Sequence, residues 1–441
     1  MATSGTVWHP YTQMKTAAQA LVVKSAKGAY LELENDRQVL DLISSWWTNL
    51  HGHCHPHIVE ALRKQAETLE HVIFAGFTHE PAEKLCRRLI SHLPLGLNHV
   101  FFSDDGSTAV EVSMKMAYQY WLNKGISSRT RFLAFEGGYH GDTFGAMAIG
   151  ASSGYFNSLK STEQQVEFID FPHSGITKVS QAEQEQMSLA RLKQVISNAP
   201  EEFAAMIMEP LIQGAAGMRV CSIQFMQAVV KLCREAGILV IYDEVMTGFG
   251  RTGDWFAATK TRTIPDIICL SKGITGGFLP LAVTVASSDV YESFLSIEPR
   301  KMLPHGHSYT ANPLACAAAL ASMDLMEENE SKFQRLSLLH QYLVDMHWRR
   351  LPGLTNIRIC GTIVAADLIG FGEPDYFNNF APYLRAKFLE NGLLVRPLGK
   401  TIYFMPPYCI EDQDLERAYG LTAKLIKNLE PGLADTISDA D

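Results

Sequence analysis

The sequence has no block of lysine or arginine, and its 441 residues carry a formal charge of −9. That balance argues against a nucleic-acid partner and an anionic membrane surface, so any phosphate must be met by a local site. No apolar stretch reaches the roughly 18 residues needed to span a bilayer, and no membrane partner is expected. Lys24 and Lys27 break the one run that could serve as a secretory leader, which predicts a cytoplasmic protein. The eight cysteines form no Cys-x-x-Cys pair and several lie in apolar stretches, as reduced packing thiols do. Internal repeats and low-complexity segments are absent, although Gln181 to Gln186 and the acidic tail from Asp435 to Asp441 read as solvated. Also missing are Gly-x4-Gly-Lys-[Ser/Thr] and a well-placed Gly-x-Gly-x-x-Gly, which disfavours nucleotide phosphates.

What is present alternates. Short apolar runs (Val100 to Phe102, Phe132 to Phe135, Ala204 to Met208, Ile238 to Tyr242, Ile267 to Leu270, Leu281 to Val285) are separated by helix-like segments such as Thr108 to Trp121 and Ile223 to Ala236. Runs with so little polar interruption predict strands covered on both faces, in a mainly parallel α/β sheet flanked by helices. A chain of this length exceeds the size at which one core stops growing, so about two domains are expected. Residues 51–320 read as the large domain. From residue 321 to 441, helices over Pro313 to Glu328 and Phe333 to Trp348 give way to β-like pieces at Leu393 to Pro397 and Thr401 to Met405, a smaller α+β domain. Residues 1–50 are expected to join that small domain and to reach the active site.

In open α/β sheets chemistry gathers at the carboxyl ends of strands. Five apolar runs here close on polar residues: Ser103 to Thr108, Glu136 to Gly141, Glu209-Pro210, Asp243-Glu244 and Ser271-Lys272. Taken singly, Lys272 reads equally well as an exposed strand-end lysine and Asp243 as a helix cap. Together they are what pyridoxal phosphate needs. The amine can form the Schiff base, and the aspartate can hold the protonated pyridine nitrogen that makes the ring an electron sink. A carboxylate about 4 Å from that cation gains roughly 4 kcal/mol at an effective dielectric near 20. Released neutral beside the reacting carbon, Lys272 can also shuttle the proton. Gly106-Ser107-Thr108, between a strand and a helix, offers free N–H groups and a dipole end to a monophosphate, although serine and threonine cap helices everywhere.

Other residues have competing readings. His51-Gly-His53-Cys54-His55-Pro-His57 resembles a metal-binding string, but no carboxylate falls inside it and a helix is expected from Pro56. Capping and packing are therefore the default, and no metal is expected. Trp46-Trp47, taken as strand residues, point to opposite faces, so at least one needs a cavity or an interface; core packing is the ordinary fate of such aromatics, Tyr11 and Tyr139 included. Arg396 is a candidate fork for a carboxylate, or a surface residue at a strand end.

Tyr242-Asp-Glu-Val245, Gly248-Phe-Gly-Arg251-Thr-Gly253 and Ser271-Lys272-Gly273 resemble the class III pyridoxal-phosphate aminotransferases of fold type I. Trp8 to Gln13, Ser45-Trp46-Trp47, Gly137 to Thr143, Glu209 to Gly214 and Val395 to Tyr403 are similar to the branch of that family serving biotin synthesis. The resemblance runs from about residue 8 to 425 and implies roles for matching residues. Lys272, Asp243 and Tyr139 would be catalytic. Gly106 and Ser107 would hold the phosphate, Val245 would pack on one ring face, and Tyr139 would stack on the ring and touch substrate. Tyr11, Trp46 and Trp47 would line the substrate cavity with Gly306 in contact, and Arg396 would bind a distant carboxylate. His307 would join the cofactor site, and Ser308 from a partner subunit would complete it, so a homodimer is implied. The implied donor and acceptor are S-adenosylmethionine and 8-amino-7-oxononanoate. Gly306-His307-Ser308-Tyr309 departs from the branch's usual Gly-Pro-Thr-Phe, which keeps lysine as an alternative donor and an ω-amino-acid aminotransferase as an alternative enzyme.

Overall fold

The apolar runs form strands with both faces dry. In the computed structural model, which describes residues 6–150, 166–172, 179–370 and 380–429, every residue of Phe203–Met208, Leu239–Asp243 and Ile267–Leu270 is buried. Successive side chains alternate between two core clusters. Leu239 and Ile241 join one with Phe132, Ile207 and Ile267, whereas Val240 and Tyr242 join the other with Leu133, Met206 and Ile268. Each such aliphatic side chain contributes about 1.5–3 kcal/mol by leaving water.

The strands make a seven-stranded sheet in the order Leu97–Ser103, Ala282–Ser287, Ile267–Leu270, Leu239–Asp243, Phe203–Met208, Arg131–Phe135, Val166–Ile169. Neighbours run parallel except at Ala282–Ser287, which is antiparallel to both of its partners. The parallel strands therefore deliver their carboxyl ends to one edge. Helix Gly106–Asn123 begins at that edge with a capping box: Asp105 accepts from the Thr108 amide while the Thr108 hydroxyl takes the Asp105 amide.

Beyond this sheet, Val23–Lys27, Tyr30–Leu33 and Gln38–Asp41 form a sheet with Leu393–Leu394, which pairs in parallel with Gln38–Asp41. Leu354–Cys360, Ile363–Leu368 and Thr401–Phe404 make a three-stranded antiparallel sheet. The β piece expected over Leu393 to Pro397 shrinks to its first two residues, since Pro397 has no N–H to pair and restricts Arg396. The helix expected near Phe333 to Trp348 is Ser331–Leu343 continued by a π-helical turn, Val344–Trp348. Gln181 to Gln186 opens helix Gln181–Asn198 behind a Ser180–Glu183 capping box; the tail 435–441 lies outside the described residues. Among those residues no helix is long and apolar enough to cross a membrane.

One expectation fails outright. Trp46 and Trp47 are not strand residues: Ser44 to Trp47 have φ values of 50, 46, 74 and 75°, a full left-handed turn without glycine. Trp47 N, Thr48 N and Asn49 N donate to Ile43 O, Ser44 O and Ser44 O, so the turn is helical in bonding but opposite in hand. L-residues resist this by about 1–2 kcal/mol each, so the surroundings must enforce it.

The hairpin turn at Gly361 (φ +61°) abuts the segment after the large sheet's central strand: Thr362 N donates to Arg251 O, and a Cβ on Gly361 would run into the backbone of Thr252 and Gly253. Gly361→Ala is expected to destabilise by about 2 kcal/mol or more. A chemical denaturation midpoint equal to that of the parent would contradict this contact.

Candidate active site

All five polar strand ends reach one cavity of about 540 Å³, lined by Asp104, Asp105, Gly106, Ser107, Tyr139, His140, Gly141, Glu209, Asp243, Ser271 and Lys272, with Val245, Met246 and Trp47 as apolar wall. That volume suits a small organic ligand.

Asp243, 4% exposed, ends the central strand. Its Oδ2 lies 2.7 Å from His140 Nδ1, and its Oδ1 accepts from Val245 N at 3.1 Å. His140 Nε2 is buried without a partner among the described residues. On the neighbouring strand Lys272 takes φ 43°, a left-handed conformation unusual for a long side chain, which turns the chain directly after Ser271. Its Nζ sits 4.7 Å over the Trp47 ring. Burial lowers the Lys272 pKa against the opposing pull of Asp243, Glu209 and Asp142, which favours the neutral amine relative to a lysine in water.

Gly106 keeps the strand-to-helix turn open, because a Cβ there would lie 2.6 Å from Val245 Cγ1 and one of the two would have to shift. The Ser107 hydroxyl receives Asp142 N at 3.0 Å, and the amides of Gly106 and Ser107, the first two of the helix, have no acceptor among the described residues. Free amides at a helix start suit a phosphate, a dry carboxylate suits a ring cation, and a partly desolvated amine suits a carbonyl carbon. The residues present thus fit pyridoxal phosphate.

Tyr139 stands at the cavity mouth. Its hydroxyl is 3.2 Å from that of Tyr11, which donates to Asp142 Oδ1 at 2.6 Å. Burial, and next the Tyr11 contact, push the Tyr139 phenol far above its usual range, so it stays neutral. Tyr11 meets Trp46 edge-on with ring centroids 5.8 Å apart, and the Arg396 guanidinium lies over the Trp46 ring at 4.3 Å. Trp47 points inward and donates from Nε1 to Tyr403 OH at 2.9 Å. Trp47 lines the cavity beneath Lys272, whereas Tyr11, Trp46 and Arg396 form a cluster beside the lining residues, joined to them through the Tyr11–Tyr139 hydroxyl contact. Gly306 and Ser308 are exposed, outside the cavity of the single chain, whereas His307 Nδ1 lies 3.5 Å from Asp104.

The histidine run disperses. His51 bonds Ser322 Oγ, and burial pushes its pKa down to about 3; His55 caps helix Pro56–Ala66; His57 faces Asp324; and His53 faces Asp41.

His140, Asp142 and Glu209 carry no assigned role in the sequence reading. Glu209 directly follows a strand and precedes proline, and His140 and Asp142 flank Gly141 in the loop after Arg131–Phe135, the signal that could have found them. Glu209 Oε1 and Oε2 accept from Gly214 N and Tyr139 N, pinning the two loops that flank the cavity.

A model of the family described as aminotransferase class-III matches residues 11–426. The adenosylmethionine-8-amino-7-oxononanoate aminotransferase of Synechococcus elongatus is 47% identical, covering 96% of this chain and 99% of the relative. That of Geobacter sulfurreducens is 38% identical, covering 93% of each. The crystal structure of the enzyme with that name from Methanocaldococcus jannaschii is similar with a TM-score of 0.88 at 34% identity, covering 96% of this chain and 97% of the other. An (S)-enantioselective ω-transaminase from Thermomicrobium roseum gives 0.89 at 27%, with 96% of each covered.

Burial pushes the Glu209 carboxyl up to about 7 from its usual 4.5, with the nearby Asp243 adding to the rise and His140 opposing it. The folded protein therefore binds this proton between pH 4.5 and 7 where the unfolded chain does not, and its contribution to stability falls as pH rises through that window. The thermal midpoint of the cofactor-free parent should gain on that of Glu209→Gln as pH drops from 7.5 to 5.5. A constant difference between the two would contradict the assignment.

Proposed function

This chain belongs to the class-III aminotransferases, and from that premise we propose that it carries the amino group of S-adenosylmethionine to 8-amino-7-oxononanoate, giving 7,8-diaminononanoate for biotin synthesis. Its cofactor is pyridoxal 5'-phosphate, which when bound supplies the electron sink and the carbonyl carbon that hold the amino group between the two half-reactions.

The chain's own residues have separable tasks. Gly106 and Ser107 would hold the phosphate at the helix start, with Ser308 of a partner subunit beside them. Asp243, oriented by His140, would keep a proton on the ring nitrogen, and Val245 and Tyr139 would confine the ring. Lys272, its amine shifted toward neutrality by burial, takes the proton from the donor's α-carbon and returns one to the acceptor carbon. Trp47 in the cavity and the Tyr11–Trp46–Arg396 cluster beside it would carry the choice of acceptor. An alkyl chain lies against aromatic faces while its far carboxylate meets the guanidinium, and the 4.3 Å stacking of Arg396 on Trp46 is the observation that supports this most. Exposed Gly306 and Ser308 suit a homodimer in which each chain completes the other's phosphate site. Residues 1–50 and 321–441 would form one smaller domain against the large domain 51–320, in a cytoplasmic enzyme.

Supplying S-adenosylmethionine, lysine or an ω-amino acid as donor and detecting 7,8-diaminononanoate by mass spectrometry tests the reading. Product with S-adenosylmethionine alone is expected. Product only with lysine would replace the donor, and no product with any of them would remove the acceptor. Lys272→Ala should abolish turnover, and Asp243→Asn should cut kcat by about 100-fold or more; near-parental kcat in either would overturn the assigned roles. Arg396→Met should raise the KM for 8-amino-7-oxononanoate by about 30-fold, roughly 2 kcal/mol, with little effect on the donor. Equal changes for both substrates would place the guanidinium elsewhere.

A further inference from the structure

The left-handed turn at Ser44 to Trp47 presents the aromatic wall, yet its ends and its middle are held differently. At the ends, Ser44 Oγ donates to Met405 O at 2.7 Å and Trp47 Nε1 donates to Tyr403 OH. The middle rests on one carboxylate. Asp41 Oδ1 accepts from Ile43 N at 3.2 Å and Ser45 N at 3.0 Å, two amides that the turn's own ladder leaves unused, and Oδ2 accepts from Ser45 Oγ at 2.7 Å. Asp41 has no solvent exposure at all.

That carboxylate is fixed by His53, whose Nε2 lies 3.0 Å from Asp41 Oδ2. The tautomer follows from the next contact outward. Gly52 N donates to Asn49 Oδ1 at 2.7 Å, so Asn49 presents its Nδ2 donor to His53 Nδ1 at 3.2 Å. Nδ1 is therefore an acceptor, and the neutral ring carries its proton on Nε2, directed at Asp41. A relay from Gly52 through Asn49 and His53 to Asp41 thus ends on the amide before Trp46.

We propose that Asp41 and His53 are positioning residues for substrate: their hydrogen bond locks the left-handed turn and so sets Trp46 and Trp47, and through Trp46 the seat of Arg396. This rests on the acceptor reading above. It also gives the histidine run its one function-bearing member. Neither residue lines the cavity, so loosening the pair shifts the wall without removing a group that touches the cofactor.

The test compares His53→Leu, which keeps bulk but cannot donate, with His53→Gln, whose amide can reach Asp41. Both are made as cofactor-loaded protein containing 5-fluorotryptophan, with the Trp46 and Trp47 resonances assigned by single phenylalanine replacements. His53→Leu should move or broaden those two fluorine resonances and leave those of Trp121, Trp255 and Trp348 in place. The KM for 8-amino-7-oxononanoate should rise about 10-fold with kcat within 2-fold, and His53→Gln should restore both. Unmoved resonances, a KM equal to the parent's, or a glutamine variant no better than leucine would each overturn the proposal. Absence of acceptor turnover in the parent would instead overturn the functional reading, while the fluorine spectra would still decide the clamp.

Discussion

A carboxylate almost cut off from water at the end of the central strand is the constraint on which the rest of this structure depends. Asp243 is tolerable there because His140 and the Val245 amide occupy its oxygens, and the parallel sheet brings Lys272 to the adjacent strand end. Burial alone disfavours both charges. Held together in a cavity open to a ligand, the carboxylate and the amine suit the ring nitrogen and the carbonyl carbon of pyridoxal phosphate. The loops around them obey the same logic: Gly106 allows the phosphate-binding turn against Val245, and Glu209 ties down the loop that carries Tyr139 and the one that precedes Met218.

A second constraint links the chain's two ends to this centre. The strand Gln38–Asp41 pairs with Leu393–Leu394, and directly after it the backbone reverses its hand for four residues. The reversal puts Trp47 against Tyr403 and Lys272 and turns Trp46 toward Tyr11 and Arg396. Fixed cofactor chemistry at the sheet edge is thereby joined to a wall drawn from residues far apart in sequence. Changing the wall would alter substrate choice with the chemistry preserved.

Much of this was legible in the residues. Uninterrupted runs such as Ala204 to Met208 predict strands dry on both faces because no polar residue breaks either side, and the polar residues that close them lie at one edge because the strands are parallel. What the residues did not reveal depends on contacts between distant segments. Nothing in Ser-Ser-Trp-Trp announces a left-handed turn; Asp41, Met405 and Tyr403 impose it. The histidine run reads as capping and packing, and His55 does cap the helix from Pro56, but the partners of His51, His53 and His57, namely Ser322, Asp41 and Asp324, could not be read from the run itself. His140 could not be paired with Asp243 from spacing alone, 103 residues away.

On the proposed function, this cavity moves an amino group to and from a long chain with a distal carboxylate. The visible absorption spectrum of the pyridoxal-phosphate-loaded protein, recorded before and after addition of 7,8-diaminononanoate, tests it without assuming a donor. Conversion of the cofactor to its pyridoxamine form is the predicted result. A spectrum unchanged by 7,8-diaminononanoate but converted by ornithine or another ω-amine would contradict that reading and assign the aromatic residues to a different substrate.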